Sequence, residues 1–121
     1  NVNPGPPRLA FVRGFSSQGG YWLGPSGTIV AGTWKHVCVT YNNSSTANDP
    51  IFYEDGNVVA VTEQETPSGT LLSDAAATAM IGGYHDGSSP QITYDGKIDE
   101  VRLYNRILTA AEIQSLYNSG R

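Results

Sequence analysis

The chain is predicted to be all-β: two antiparallel sheets packed as a sandwich, with one short helix at the C-terminal end. Three observations carry this expectation. Only 15% of the 121 residues are charged while 14 are glycine, a composition suited to many turns. Short runs rich in Val, Ile, Thr and Tyr recur between clusters of Gly, Pro, Asn and Asp. Helical periodicity joined to a helix start signal occurs in one place, near the C-terminus. The length suits one domain with its own core, read as an N-terminal arm over 1–13 followed by a domain over 14–121.

Ten short strands are expected, near 8–13, 20–24, 28–31, 34–41, 51–54, 57–62, 70–72, 78–84, 91–94 and 97–104. "IFYEDGNVVAV" is the clearest hairpin, because Asp55-Gly56 supplies the positive φ angles that a tight two-residue turn requires. In "WKHVCVTY" both alternating sets hold apolar members, which predicts a central strand covered on both faces. His36 on that strand is expected to be a hydrogen-bonded structural histidine, and Cys38, the single cysteine, a buried inert thiol. Thr109-Ala110-Ala111-Glu112 spells a capping box, and Ile113, Leu116 and Tyr117 then recur at helical spacing as a stripe for the sheet.

Composition excludes some partners. The net charge is −4 and the basic residues are scattered singly, so no stripe exists to neutralise phosphates and nucleic acid is not an expected partner. No run approaches the roughly 18 to 20 apolar residues of a membrane-crossing helix. The start Asn1-Val2-Asn3 reads as a mature end left by removal of a leader, which points to an extracellular or cell-surface setting. "NNSS" holds two overlapping acceptors for N-glycosylation, Asn42 and Asn43.

Three stretches, "GTWKHVCVTYN", "FYEDGNVVA" and "GKIDEVRLYNRILTAAEIQSLYNSG", stand in the order and spacing of a known family. Residues from about 20 to 120 resemble the laminin-G-like jelly rolls of the concanavalin A-like lectin/glucanase superfamily. The resemblance implies a jelly-roll form of the sandwich. It also implies front strands that this sequence does not show before "GGYWLG", so the sheets are expected to be short of strands.

Glucanases of the superfamily carry a Glu-x-Asp-x-x-Glu strand, since glycosidic cleavage needs two carboxylates at a fixed separation. The nearest stretch, Glu63-Gln64-Glu65, lacks that pattern and reads as a solvated loop, so the chain is expected to be non-catalytic. The resemblance also implies a structural calcium ion on Asp99, with Asp95 and Asp86 as helpers; the alternative is that Asp99 accepts backbone N–H bonds where two strands part. Carbohydrate binding is the third implied property. Tyr21, Trp22, Tyr84, His85, Asp86 and Tyr94 lie in or beside loop regions and could present rings and polar groups to a glycan.

The opening "NVNPGPPRLAFVRG" places an apolar strand behind a proline-stiffened spacer. Seven extended residues reach on the order of 23 Å, far enough to leave one domain and enter the next. The sequence reading is therefore a chain that associates with copies of itself, head to tail into a filament, by donating this strand. Leu9 and Phe11 are expected as the plugs on one face and Val12 as part of the other. The arm folding back onto its own domain is the alternative, and a calcium-dependent carbohydrate-binding module is the competing function.

Overall fold

The computed structural model describes residues 5–84 and 92–120 of the chain. It divides into two compact units, one built from 1–72 and 104–121, the other from 73–103.

The first unit holds two three-stranded antiparallel sheets and the helix. Strand β1 (Ala10–Arg13), β2 (Gly20–Leu23) and β6 (Thr62–Glu65) form one sheet in the order β1-β2-β6. Strand β3 (Val37–Thr40), β4 (Ile51–Glu54) and β5 (Asn57–Val59) form the other in the order β3-β4-β5. This is the all-β sandwich that the composition predicts. The Asp55-Gly56 turn forms as expected, with φ of 50° and 78° at its two residues, and pairs Glu54 with Asn57. A second tie holds the turn: the Asp55 amide donates to the His36 carbonyl at 2.8 Å and the His36 amide donates to Asp55 Oδ1 at 3.1 Å.

Helix α1 (Ala110–Ser119) begins with the capping box read from the sequence. Thr109 Oγ1 accepts from the Glu112 amide at 3.3 Å, and Glu112 Oε2 accepts from the Thr109 amide at 2.8 Å. Two of the amides that a helix start leaves without partners are thereby satisfied. Ile113 is fully buried in a cluster with Tyr53 and Leu108, with Cys38 and Leu116 packed against its edge. Helix α1 therefore covers the face of the β3-β4-β5 sheet that carries Cys38 and Tyr53.

The other face of that sheet meets the first. Phe11, Trp22 and Tyr41 form a three-ring nest with centroids 5.3 to 5.9 Å apart. Phe52 is fully buried, and a Cβ placed on Gly24 would sit 3.3 Å from its ring. Gly20 has a sharper role. The Trp22 ring lies across it, so that a Cβ there would fall 2.1 Å from Trp22 Cη2. Only glycine lets the indole fold flat against its own strand.

Several expected elements differ. The stretch 28–31 contains turns, because Gly27 and Gly32 both adopt positive φ (76° and 81°) and reverse the chain on either side. Strand β3 is an edge of its sheet, with Val37 exposed, where the alternation predicted a central strand. Glu63 and Glu65 belong to strand β6, paired with β2, and not to a loop; the whole strand is exposed, which removes any apolar signal for it. Residues near 70–72 contribute only a bridge, Phe15 to Leu71.

Among its described residues the second unit contains one short antiparallel pair, β7 (Gly83–Tyr84) with β8 (Ile92–Thr93). The expected strand over 97–104 is absent. Glu100 adopts φ of 53°, a left-handed conformation that interrupts a strand, and no ladder among the described residues reaches this stretch.

Candidate functional site

Strand β1 is the element to which the sequence assigns self-association, and its local geometry follows from one hydrogen bond. The Gly24 amide donates to the Leu9 carbonyl at 2.9 Å, one step before the pairs Ala10–Leu23, Phe11–Trp22, Val12–Tyr21 and Arg13–Gly20. In an antiparallel pair, hydrogen-bonded and non-bonded residues alternate. Leu9, Phe11 and Arg13 therefore aim their backbone groups at β2, while Ala10 and Val12 aim theirs at the open side. Among the described residues β1 has β2 as its one sheet neighbour, so that side is an unpaired edge of the described sheet.

The side chains alternate as well. Phe11 turns inward onto Trp22 and Tyr41 of its own chain, and Val12 turns outward, 66% exposed. The arm thus folds back onto its own domain, and Phe11 plugs the core it belongs to. Leu9 lies half-buried beside Gly24. The turn after β1 is pinned: Ser16 and Ser17 donate from their amides to the carbonyls of Thr70 and Ser68 at 2.8 and 3.2 Å, and Phe15 is buried between. Arg13 Nη2 reaches the Leu72 carbonyl at 3.1 Å.

The six residues expected to meet a glycan are not gathered into one face. Trp22 is fully buried, with its indole N–H donated to Asp49 Oδ1 at 2.8 Å, so its ring faces cannot stack on a sugar. Tyr21 is half-buried on β2. Tyr94 is exposed in the second unit, its ring against Gly96. His85 and Asp86 lie outside the described residues, as does the side chain of Tyr84. Asn42 and Asn43 are exposed in the loop after β3, where Asn42 Oδ1 accepts from the Ser44 amide at 3.1 Å and its carbonyl accepts from Asn48 Nδ2 at 2.9 Å.

Asp99 is exposed, and its Oδ1 accepts from the Glu100 amide at 2.8 Å. That donor is the next residue along the chain, in a stretch without strand structure. Calcium asks for about six to eight oxygens, and no group of three or more His, Cys, Asp or Glu suited to a metal forms among the described residues. The described residues around Asp99 do not make up such a shell.

The sequence reading passed over a charged cluster at the β4–β5 turn. Glu54 is buried; Thr28 Oγ1 donates to its Oε1 at 2.7 Å and Lys35 Nζ stands 3.9 Å from its Oε2. Lys35 Nζ also donates to Asp55 Oδ2 at 2.9 Å. Partial burial works against ionised Asp55, but the hydrogen bonds from Lys35 and the His36 amide outweigh it and hold the carboxyl below its usual range. The same bond to Asp55 raises the Lys35 pKa. The adjacent acids of "YEDG" read as part of a hairpin turn, and only the approach of Lys35 and Thr28 from distant loops makes them a cluster.

Two polar atoms stand apart. His36 Nδ1 and the Tyr41 hydroxyl are buried without a hydrogen-bond partner among the described residues. The expected hydrogen-bonded histidine is thus a ring packed 5.8 Å from Tyr117 instead, because α1 closes over it. Burial pushes the Tyr41 hydroxyl upward in pKa, and it does the same to the Cys38 thiol, in keeping with an unreactive half-buried cysteine. Tyr104, Leu108, Ser115 and Leu116 line a shallow groove beside α1 together with the Arg106–Glu112 ion pair.

Comparison with known proteins agrees with this architecture. Residues 2–114 match a laminin-G-like family of the concanavalin A-like lectin/glucanases superfamily. The fold also matches a solved S-layer domain-containing protein from Clostridium thermocellum at 22% identity, with a TM-score of 0.51. That match covers 97% of this chain and 65% of the solved one, so the chain spans about two thirds of its neighbour's length. No curated protein matches the chain. No helix among the described residues is long and apolar enough to cross a membrane.

Proposed function

The chain belongs to the concanavalin A-like lectin/glucanases superfamily, and from that premise we propose that it is a non-catalytic extracellular domain with a structural or adhesive role, associating with copies of itself through the edge of strand β1. One observation carries this reading: among the described residues β1 has β2 as its one sheet neighbour, which leaves the other side of the strand unpaired. Natural sheets protect exposed edges with charges, prolines or bulges, since a bare row of N–H and C=O groups recruits another chain. The opposite edge of the same sheet, β6, is protected by Glu63 and Glu65, both exposed. The open side of β1 carries the backbone N–H and C=O groups of Ala10 and Val12.

Extracellular placement draws on the fold family and on the neighbour named as S-layer domain-containing. The solvent-facing Asn42 and Asn43 acceptors suit it. Strand donation takes a modified form here. With Phe11 seated in its own core, the strand stays at home and offers its free edge, so no core has to open for copies to join. The contact remains head to tail, because the edge of β1 is one surface and its acceptor another.

Sedimentation velocity of the purified chain over a range of concentrations tests the proposal, with electron micrographs of the most concentrated samples. Mass that grows with concentration and elongated particles are expected. A chain that stays monomeric throughout and is retained on a glycan column would replace this reading with the carbohydrate-binding module.

A further inference from the structure

The turn between β4 and β5 sets two chemical demands against each other. Residue 56 adopts φ of 78°, a left-handed conformation that suits glycine, and a Cβ there would fall 2.8 Å from Gln114 Nε2. Asp55 before it has φ of 50°, which Asp tolerates better than most residues. The turn therefore holds an Asp-Gly pair in place. In such a pair no side chain shields the glycine amide, so its nitrogen can attack the neighbouring carboxyl carbon.

That reaction needs nothing beyond water. The Gly56 nitrogen bonds to Asp55 Cγ, its proton is lost, and the carboxyl hydroxyl leaves as water, closing a cyclic imide. Water then reopens the ring. Attack at Cγ restores Asp55, whereas attack at the main-chain carbonyl carbon leaves the chain running through Cγ as an isoaspartyl residue. The turn is then longer by a methylene, and the pairing of Glu54 with Asn57 is lost. The hairpin it closes carries Phe52 and Tyr53, both buried.

We infer that Lys35 and the His36 amide guard Asp55–Gly56 against this isomerisation, which makes the turn a suppressed modification site. Both carboxylate oxygens are engaged from the side of β3. Oδ2 accepts from Lys35 Nζ at 2.9 Å, and Oδ1 accepts from the His36 amide at 3.1 Å. Turning Cγ onto the Gly56 nitrogen has to break these bonds. The main chain is held as well: the Asp55 amide donates to the His36 carbonyl at 2.8 Å, and the Asp55 carbonyl accepts from Asn57 Nδ2 at 3.0 Å. Buried Glu54, 3.9 Å from Lys35 Nζ, is a second anion that keeps the ammonium over the turn. Charge acts in the same direction, because an ionised carboxyl has no hydroxyl to lose. Partial burial favours the protonated form, but the hydrogen bonds from Lys35 and the His36 amide outweigh it and keep that form scarce.

Peptide mapping of protein aged for weeks in mildly acidic buffer tests the guard, with isoaspartate at residue 55 separated chromatographically from its isobaric parent. The folded wild type should form it far more slowly than the urea-unfolded chain. Lys35→Met should speed its appearance several-fold, and Lys35→Arg, which keeps a cation at the carboxylate, should return the rate close to wild type. Leu116→Ala loosens the packing of α1 but leaves the clamp intact, so it should age like the wild type. Far-UV circular dichroism checks the fold of each variant, and Lys35→Gln stands in for a Lys35→Met chain that does not fold. Equal rates in the folded and unfolded wild type would show that no guard exists. A folded Lys35→Met chain that ages no faster than wild type would show that Lys35 is not the guard. If Leu116→Ala ages as fast as Lys35→Met, general loosening sets the rate and the clamp does not.

Discussion

Substitution of Gly20 by alanine is the most exacting probe of the sandwich core. A Cβ at this position would lie 2.1 Å from Trp22 Cη2 and 2.4 Å from Cζ3, inside any permissible contact. The indole cannot swing aside cheaply. It is fully buried, it packs against Phe11 at 5.9 Å and Tyr41 at 5.4 Å, and its N–H is held by the Asp49 carboxylate at 2.8 Å. Displacing it forfeits part of the packing worth about 3 to 5 kcal/mol for a large aromatic truncated to alanine. It also strains a charge-assisted bond worth about 1.5 to 3 kcal/mol. Partial relaxation sets the expected loss for Gly20→Ala at about 2 to 4 kcal/mol, measured by urea unfolding followed by far-UV circular dichroism. The decisive measurement is a double-mutant cycle. In a Trp22→Leu background the far ring is gone, and Gly20→Ala should then cost less by about 2 kcal/mol. Equal costs in the two backgrounds would show that the indole does not lie across Gly20.

Two further outcomes follow from the helix. Ile113→Ala should destabilise by about 2 to 5 kcal/mol because Ile113 is fully buried against Tyr53 and Leu108, while Leu116→Ala, half-buried at the cluster edge, should cost clearly less; equal losses in thermal or urea unfolding would contradict that placement. The second outcome concerns pH. The Arg106 guanidinium, together with the Thr109 amide and hydroxyl, holds the Glu112 carboxyl at about 2, below its usual 4.5. A depressed carboxylate stabilises fully above its unfolded pKa and loses that contribution as pH falls through the folded one. Wild type should therefore exceed Glu112→Gln in stability above about pH 4.5, and the gap should close towards pH 2. A gap that stays constant over this range would sink the assignment.

What could be read from the sequence was what neighbours along the chain settle among themselves. The Thr109–Glu112 capping box and the Asp55-Gly56 turn each close within a few residues, so residue identity alone implies the geometry, and both appear as expected. The stretches that identified the laminin-G-like family also identified the sandwich. Tertiary structure decided whatever depends on a partner far along the chain. Thr62–Glu65 has no apolar face and becomes a strand only because β2 lies beside it. Trp22 looked like a surface ring for a sugar and is instead the centre of the core, since Phe11 and Tyr41 arrive from 11 residues before it and 19 after it to bury it. Conversely, 97–104 has the local composition of a strand but joins no ladder among the described residues, and Glu100 within it adopts a left-handed conformation. Local sequence sets which conformations a segment favours, and pairing across the fold determines which of them it keeps.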